Sequence, residues 1–303
     1  FTFQDAIMLA YLAIVMVLVW RTGVGPAQES VAGRLIACIA IVLVGCLWAR
    51  AQGGFGLRSK WVLYRVALAG VLIENYLMLR DLLPLVRPDS VDAELLEVDL
   101  RVFGFEPAIW LERLNHRPII EYFSFFYFSY FFILTTYLIV VVFISKGGRQ
   151  TTEFAIGTFI VFCVGQLGYM AVPAVGPIKY LASSYAGPIE GGFFWSCVTA
   201  AVDAGSALKD VFPSLHTAMP SWLTLFALRR ASFDPRWRWP ARLTGFFAMN
   251  IVVSTLVLRW HYAIDVVAGL ALATSAALIS RSMAAREEAW RAKHGLPAPF
   301  SFS

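Results

Sequence analysis

Residues 119–144 read IIEYFSFFYFSYFFILTTYLIVVVFI, twenty-six positions with a single charge, Glu121. As an α-helix this run is about 39 Å long, and the hydrocarbon of a bilayer is about 30 Å thick. Its rings (Tyr122, Phe123, Phe125, Phe126, Tyr127, Phe128, Tyr130, Phe131 and Phe132) suit packing against lipid and neighbouring helices. Working outward, seven more runs of the same kind appear at roughly 5–20, 31–48, 61–79, 153–172, 214–229, 243–259 and 261–280. The expected fold is therefore an all-α integral membrane protein of about eight transmembrane helices. The first run lacks a Met or a basic leader, so it is a poor match to a cleaved signal peptide.

Composition agrees. Of 303 residues, 59% are hydrophobic and 15% charged, against about 45–50% and about 25% in soluble proteins. That argues against a soluble enzyme, a disordered chain or a nucleic-acid binder. Cys38, Cys46, Cys163 and Cys197 lack metal or redox spacing and read as packing residues.

The net charge of +5 is mostly a topology signal. With eight spans, both termini share a face with loops 49–60, 145–152 and 230–242. That face carries 14 of the 25 basic residues, including Lys146, and the other carries 8. The positive-inside rule then makes the termini cytoplasmic and turns 80–118 and 173–213 to the periplasm or a lumen. Segment 80–118 mixes acidic and apolar residues. It reads as one or two short interfacial helices, or as a re-entrant cap over a site.

Ionisable residues inside spans are functional suspects. Arg34 and Glu121 lie near span ends and can snorkel. Arg65 and Glu74 fall on opposite helix faces, so Glu74 is expected to pair with a charge on another helix. His116 and His294 lie in a loop and the tail and read as solvated.

The other two histidines are better placed. Pro213-Ser214-Leu215-His216 reads as a helix start, with Ser214 as cap and free N–H groups that attract phosphate. In Arg259-Trp260-His261-Tyr262-Ala263-Ile264-Asp265, the histidine and Asp265 are four apart and share a helix face. A carboxylate on one ring nitrogen leaves the other as nucleophile or base. Arg259 is a permanent cation whose fork fits phosphate oxygens, and Lys179 and Lys209 lie in the loop on the same face. Such a set suits phosphoryl transfer without metal.

These residues resemble the type-2 phosphatidic acid phosphatase superfamily. Its second signature, Pro-Ser-x-His, matches 213–216. Its third, Ser-Arg-x5-His-x3-Asp, matches Ser254, His261 and Asp265, with Thr255 where the arginine belongs and Arg259 one turn later. Its first signature is absent. Gly168-Tyr169-Met170-Ala171-Val172-Pro173-Ala174-Val175-Gly176-Pro177 stands there and looks like the branch of inositol phosphorylceramide synthases, the aureobasidin target. The resemblance implies that His261 becomes a phosphohistidine, Asp265 orients it and His216 protonates the leaving group. It implies no cofactor and no catalytic metal. Ser214, Arg259, Lys209 and Lys179 are the candidate phosphate ligands, and Tyr169, Pro173, Gly176 and Tyr262 the candidate substrate contacts. It also implies a six-helix phosphatidic-acid-phosphatase-like core over 61–281, interfacial segment included. Two additional helices would precede it over 1–60, and 282–303 would be a cytoplasmic tail. The partners are lipid substrates in the membrane, not nucleic acid, and a homo-oligomer stays open.

Two activities share these motifs: a lipid head-group phosphotransferase and a lipid phosphate phosphatase. A transporter would use Arg65, Glu74 and Asp265 along a path, but internal repeats and paired broken helices are not evident. A haem protein would use His216 and His261 as axial ligands, but these open helices rather than sit mid-span.

Overall fold

The computed structural model describes residues 1–51, 56–145, 147–205 and 207–296. Lys146 and the last seven residues of segment 282–303 lie outside the described residues. The described chain is built of helices joined by loops, with an isolated bridge between Ala174 and Asp210. Helices α1 (Phe3–Trp20), α2 (Pro26–Arg50) and α3 (Leu57–Val86) lead into the short α4 (Asp92–Phe103) and α5 (Pro107–Trp110). Then come α6 (Arg117–Ile139), extended by a π-helical turn at Val140–Ile144, and α7 (Arg149–Ala171). After α8 (Pro177–Tyr180) and α9 (Phe193–Gly205), the chain ends with α10 (Leu215–Ala231), α11 (Arg238–Val257) and α12 (Ala263–Lys293).

Among the described residues, seven helices are long and apolar enough to cross a bilayer, which makes this a multi-pass integral membrane protein. They carry seven of the eight expected runs. The eighth, 214–229, falls on α10, which has 17 residues and so measures about 25 Å, at the short end of what a span needs. Pro220 and the basic pair Arg229 and Arg230 account for its lower apolarity. Segment 80–118 holds α4, α5 and a single 3-10 turn at Leu111–Leu114, the expected short helices.

The chain divides into two compact units. The first comprises Phe1–Val86, Thr135–Val164 and the chain from Ala276. Its core holds Met8, Leu12, Val15 and Val19 of α1 against Val31, Leu35, Cys38, Val42 and Cys46 of α2, spaced three, four or seven apart as a buried helical stripe requires. Several buried or half-buried charges in this unit are matched. Asp5, fully buried, takes Arg50 at 2.6 Å, the Tyr64 hydroxyl and the Thr2 backbone N–H at 2.8 Å. Glu74 pairs with Arg34 at 2.7 Å, the interhelix ion pair expected of it, and Arg34 also reaches Asp81 at 2.9 Å. Arg65 donates to the carbonyls of Val141, Val142 and Ser145 at 2.8–3.2 Å, satisfying the free end of the α6 π-turn.

The second unit, Arg87–Leu134 with Gly165–Ser275, holds every residue of the candidate site. Three glycines let its segments approach closely. A Cβ on Gly165 would meet the Leu215 side chain at 2.5 Å, one on Gly168 the Pro213 ring at 2.4 Å, and one on Gly269 the Ser214 carbonyl at 2.6 Å. The start of α10 is thereby wedged between α7 and α12. Glu121, expected to snorkel, instead accepts from the N–H groups of Gly192, Phe194 and Trp195 at 2.8–3.0 Å. It caps α9 from α6, so its charge is answered by free helix donors.

Candidate active site

The two candidate motifs meet. The ring centroids of His216 and His261 are 6.4 Å apart. Ser214 caps α10 as its position predicts, its side chain accepting from the Thr217 N–H at 3.2 Å. Its own N–H donates to the Asp265 carbonyl at 3.1 Å, which ties the start of α10 to α12. The Nδ1 of His261 lies 3.4 Å from Asp265 Oδ2. The local fold differs from expectation in one respect: His261 precedes α12 rather than sitting in its first turn. The Asp265 carboxylate reaches back out of that turn, and the same oxygen accepts from the Tyr262 N–H at 2.8 Å. Arg259, at φ +61, turns the chain between α11 and α12 and so aims His261 at α10.

His216 sits in an aromatic box. Tyr127 stacks on it at 4.3 Å and 13°, and Tyr130 packs at 4.3 Å on a steeper tilt. The Tyr127 hydroxyl lies 3.5 Å from Nδ1. Nε2 of His216 and Oδ1 of Asp265 are both buried without a hydrogen-bond partner among the described residues. Buried polar atoms are rarely left so, and these two lie on the groups that acid–base chemistry would use.

The candidate phosphate ligands separate. Arg259 is buried, and its guanidinium donates to the Gly187 carbonyl at 2.9 Å and to Glu112 at 3.2 Å, above the Tyr185 ring at 3.9 Å. It lines a cavity of about 520 Å³ with Ile178, Tyr185, Ile189 and Trp195. Glu112 already matches its charge. Lys209 is turned to the carbonyls of Pro88 and Asp89, and Lys179 is exposed. Of the four, Ser214 bonds directly to the histidine–aspartate pair, and it does so through its backbone N–H.

Segment 168–177, the last turn of α7 and the loop that follows it, backs the site. Tyr169 and Tyr262 are buried. The Pro173 carbonyl accepts from Val91 N–H at 2.9 Å. Gly176 holds φ +82, and a Cβ there would lie 2.5 Å from the Trp260 carbonyl.

Sequence reasoning missed the groups that hold this loop and α12 in place. They come from α4. Asp92 accepts from the N–H groups of Val175 and Gly176, both at 2.9 Å, and from the Tyr262 hydroxyl at 3.0 Å. Asp99 accepts from the N–H groups of Ala263 and Ile264 at 2.6 and 2.9 Å. Burial pushes the Asp99 carboxyl up, while those two N–H groups pull it down. Beyond them Glu106 is buried, and burial pushes its carboxyl to about 7, against the pull of the Ala108 N–H and with the charges of Asp99 and Asp265 adding to the rise. The signal was present: Asp92 and Asp99 are seven apart and so share one face of a helix. Tyr127 and Tyr130, three apart on α6, share a face likewise.

No curated protein matches the chain, and no solved structure does. A family model described as PAP2 superfamily matches residues 93–279. That stretch runs from the first turn of α4 well into α12, contains both histidines and Asp265, and covers more than half of the sequence, so the chain belongs to the PAP2 superfamily.

Proposed function

We propose that this protein is a lipid head-group phosphotransferase that works through a phosphohistidine on His261, in the manner of an inositol phosphorylceramide synthase. The observation that carries the reading is the pairing of His261 with Asp265 at 3.4 Å, facing a second, half-buried histidine whose buried Nε2 has no partner among the described residues. Asp265 holds the Nδ1 proton, so Nε2 of His261 carries the attacking lone pair. In the first half-reaction that nitrogen bonds to phosphorus and the bond from phosphorus to the diacylglycerol oxygen breaks. His216 gives a proton to that oxygen. In the second, an acceptor hydroxyl attacks phosphorus, His216 takes its proton back and the N–P bond breaks.

Of the two helix starts at the site, that of α12 already holds the Asp99 carboxylate, which leaves the start of α10, where Ser214 takes only the Thr217 N–H, for the phosphoryl oxygens. One sequence feature favours transfer over hydrolysis: segment 168–177 stands where the first phosphatase signature would be. The bias of basic residues supports cytoplasmic termini and a site facing the periplasm or lumen.

Purified protein given phosphatidylinositol labelled in the head group, together with ceramide, tests the reading. Labelled inositol phosphorylceramide with matching diacylglycerol is expected. Free phosphate from phosphatidic acid, with no new lipid formed, would make the protein a lipid phosphate phosphatase instead.

A further inference from the structure

We propose that Asp92 and Asp99 of α4 are positioning residues for the histidine chemistry, a carboxylate clasp that sets His261 and Asp265 in register from outside the spans. This rests on the phosphohistidine reading above. The case begins with what α12 needs. Its first N–H groups have no partner within the helix. Two of them, on Ala263 and Ile264, donate to Asp99, one to each carboxylate oxygen. Both residues sit between His261 and Asp265, so Asp99 grips the three-residue bridge that spaces nucleophile from orienter.

Asp92 grips the same bridge from its other end. Its Oδ1 accepts from the hydroxyl of Tyr262, the neighbour of His261, and from the Gly176 N–H, and its Oδ2 accepts from the Val175 N–H. Gly176 lies directly under the Trp260 carbonyl, and the Ile178 N–H donates to the Arg259 carbonyl at 2.7 Å. The residues on both sides of His261 are thus fixed by one short helix and the loop it holds. Asp92 and Asp99 lie on a common face of that helix, and both are buried.

An ordinary role in stability would call for capping α12 with a residue from α12's own turn. Here Asp265, in that turn, takes only the Tyr262 N–H, and the next two donors, on Ala263 and Ile264, are taken by a helix more than 160 positions away in sequence. The His261–Asp265 contact, at 3.4 Å, is loose enough that a shift of a few tenths of an ångström in the bridge decides whether Asp265 holds the ring. Rate is steeply sensitive to displacements of that order.

The test compares Asp99→Ala, Asp99→Asn and Asp92→Asn with wild type and His261→Ala in detergent, following turnover of head-group-labelled phosphatidylinositol with ceramide. Asp99→Ala is expected to lower kcat about 100-fold while KM stays within about twofold. Asp99→Asn, which keeps one acceptor oxygen for one of the two N–H groups and stays folded where the alanine variant fails to, is expected to recover part of that loss. Asp92→Asn is expected to fall between them. Single-turnover labelling of His261 should slow by the same factors. Wild-type kcat in Asp99→Asn and Asp92→Asn would overturn the inference. So would a fall in kcat that tracks the folded fraction, measured by thermal melting. His261→Ala separates the two failures: retained turnover there defeats the phosphohistidine reading itself, whereas an inactive His261→Ala beside fully active aspartate variants defeats the clasp alone.

Discussion

Glu106 is a carboxyl that folding buries with one N–H donor and places near two other carboxylates, Asp99 and Asp265. Its ordinary value of 4.5 rises to about 7 in the folded protein. Each unit of such a shift is about 1.4 kcal/mol, so full ionisation costs the fold at most about 3 kcal/mol, and screening by water at the loop reduces this to about 2 kcal/mol. The sign follows from which state holds the proton. Below about pH 4.5 both states are protonated and the fold pays nothing. As pH rises toward 7, the unfolded chain has released a proton that the folded one still keeps, so stability falls. Above 7 both are ionised and the loss is complete. Glu106→Gln replaces the titrating carboxyl with a neutral amide and flattens this contribution. Melting temperatures in detergent at pH 5 and pH 8 should therefore diverge: the variant is close to wild type at pH 5 and more stable at pH 8, by several degrees for about 2 kcal/mol. A melting difference between variant and wild type that is the same at both pH values would refute the reasoning, because the group would then not titrate in that window.

Gly176→Ala places a Cβ 2.5 Å from the Trp260 carbonyl at a backbone angle that side chains rarely adopt. It should cost about 1–3 kcal/mol and depress turnover, read by melting and by the transfer assay on one preparation. Tyr127→Ala removes the ring stacked on His216 and should lower kcat about tenfold, by analogy with aromatic pair energies. Tyr127→Phe, which keeps the ring, should lose less. Asp5→Ala leaves Arg50 without its carboxylate and should destabilise the protein by about 2 kcal/mol, discounted because Arg50 is partly exposed. The kcat/KM of the folded fraction should not change.

How much of this was legible in the sequence differs from element to element. The spans could be read because a membrane helix needs little beyond an unbroken apolar run, and 119–144 supplies one. Residues 214–229 read as a span of the same rank, yet α10 is shorter and interrupted, because its first turn serves the site as well as the bilayer. Ser214 as a cap and His261 with Asp265 as a pair were legible since each is a contact within four residues. The partner of Glu74 could be inferred as a class, a charge on another helix, but not as Arg34. The clasp was hidden for the same reason. Asp92 and Asp99 look like the polar face of an interfacial helix, and their partners are backbone N–H groups that no side-chain pattern records. Arg259 was legible as a cation but not as one already neutralised, since Glu112 and Tyr185 reach it only through the fold.

The central claim is a covalent phosphoryl group on His261. Purified wild type mixed with head-group-labelled phosphatidylinositol, in the absence of acceptor, and quenched in alkali should carry acid-labile label on the peptide that contains His261. His261→Ala should carry none and should not turn over. Label or turnover that survives in His261→Ala would contradict the account.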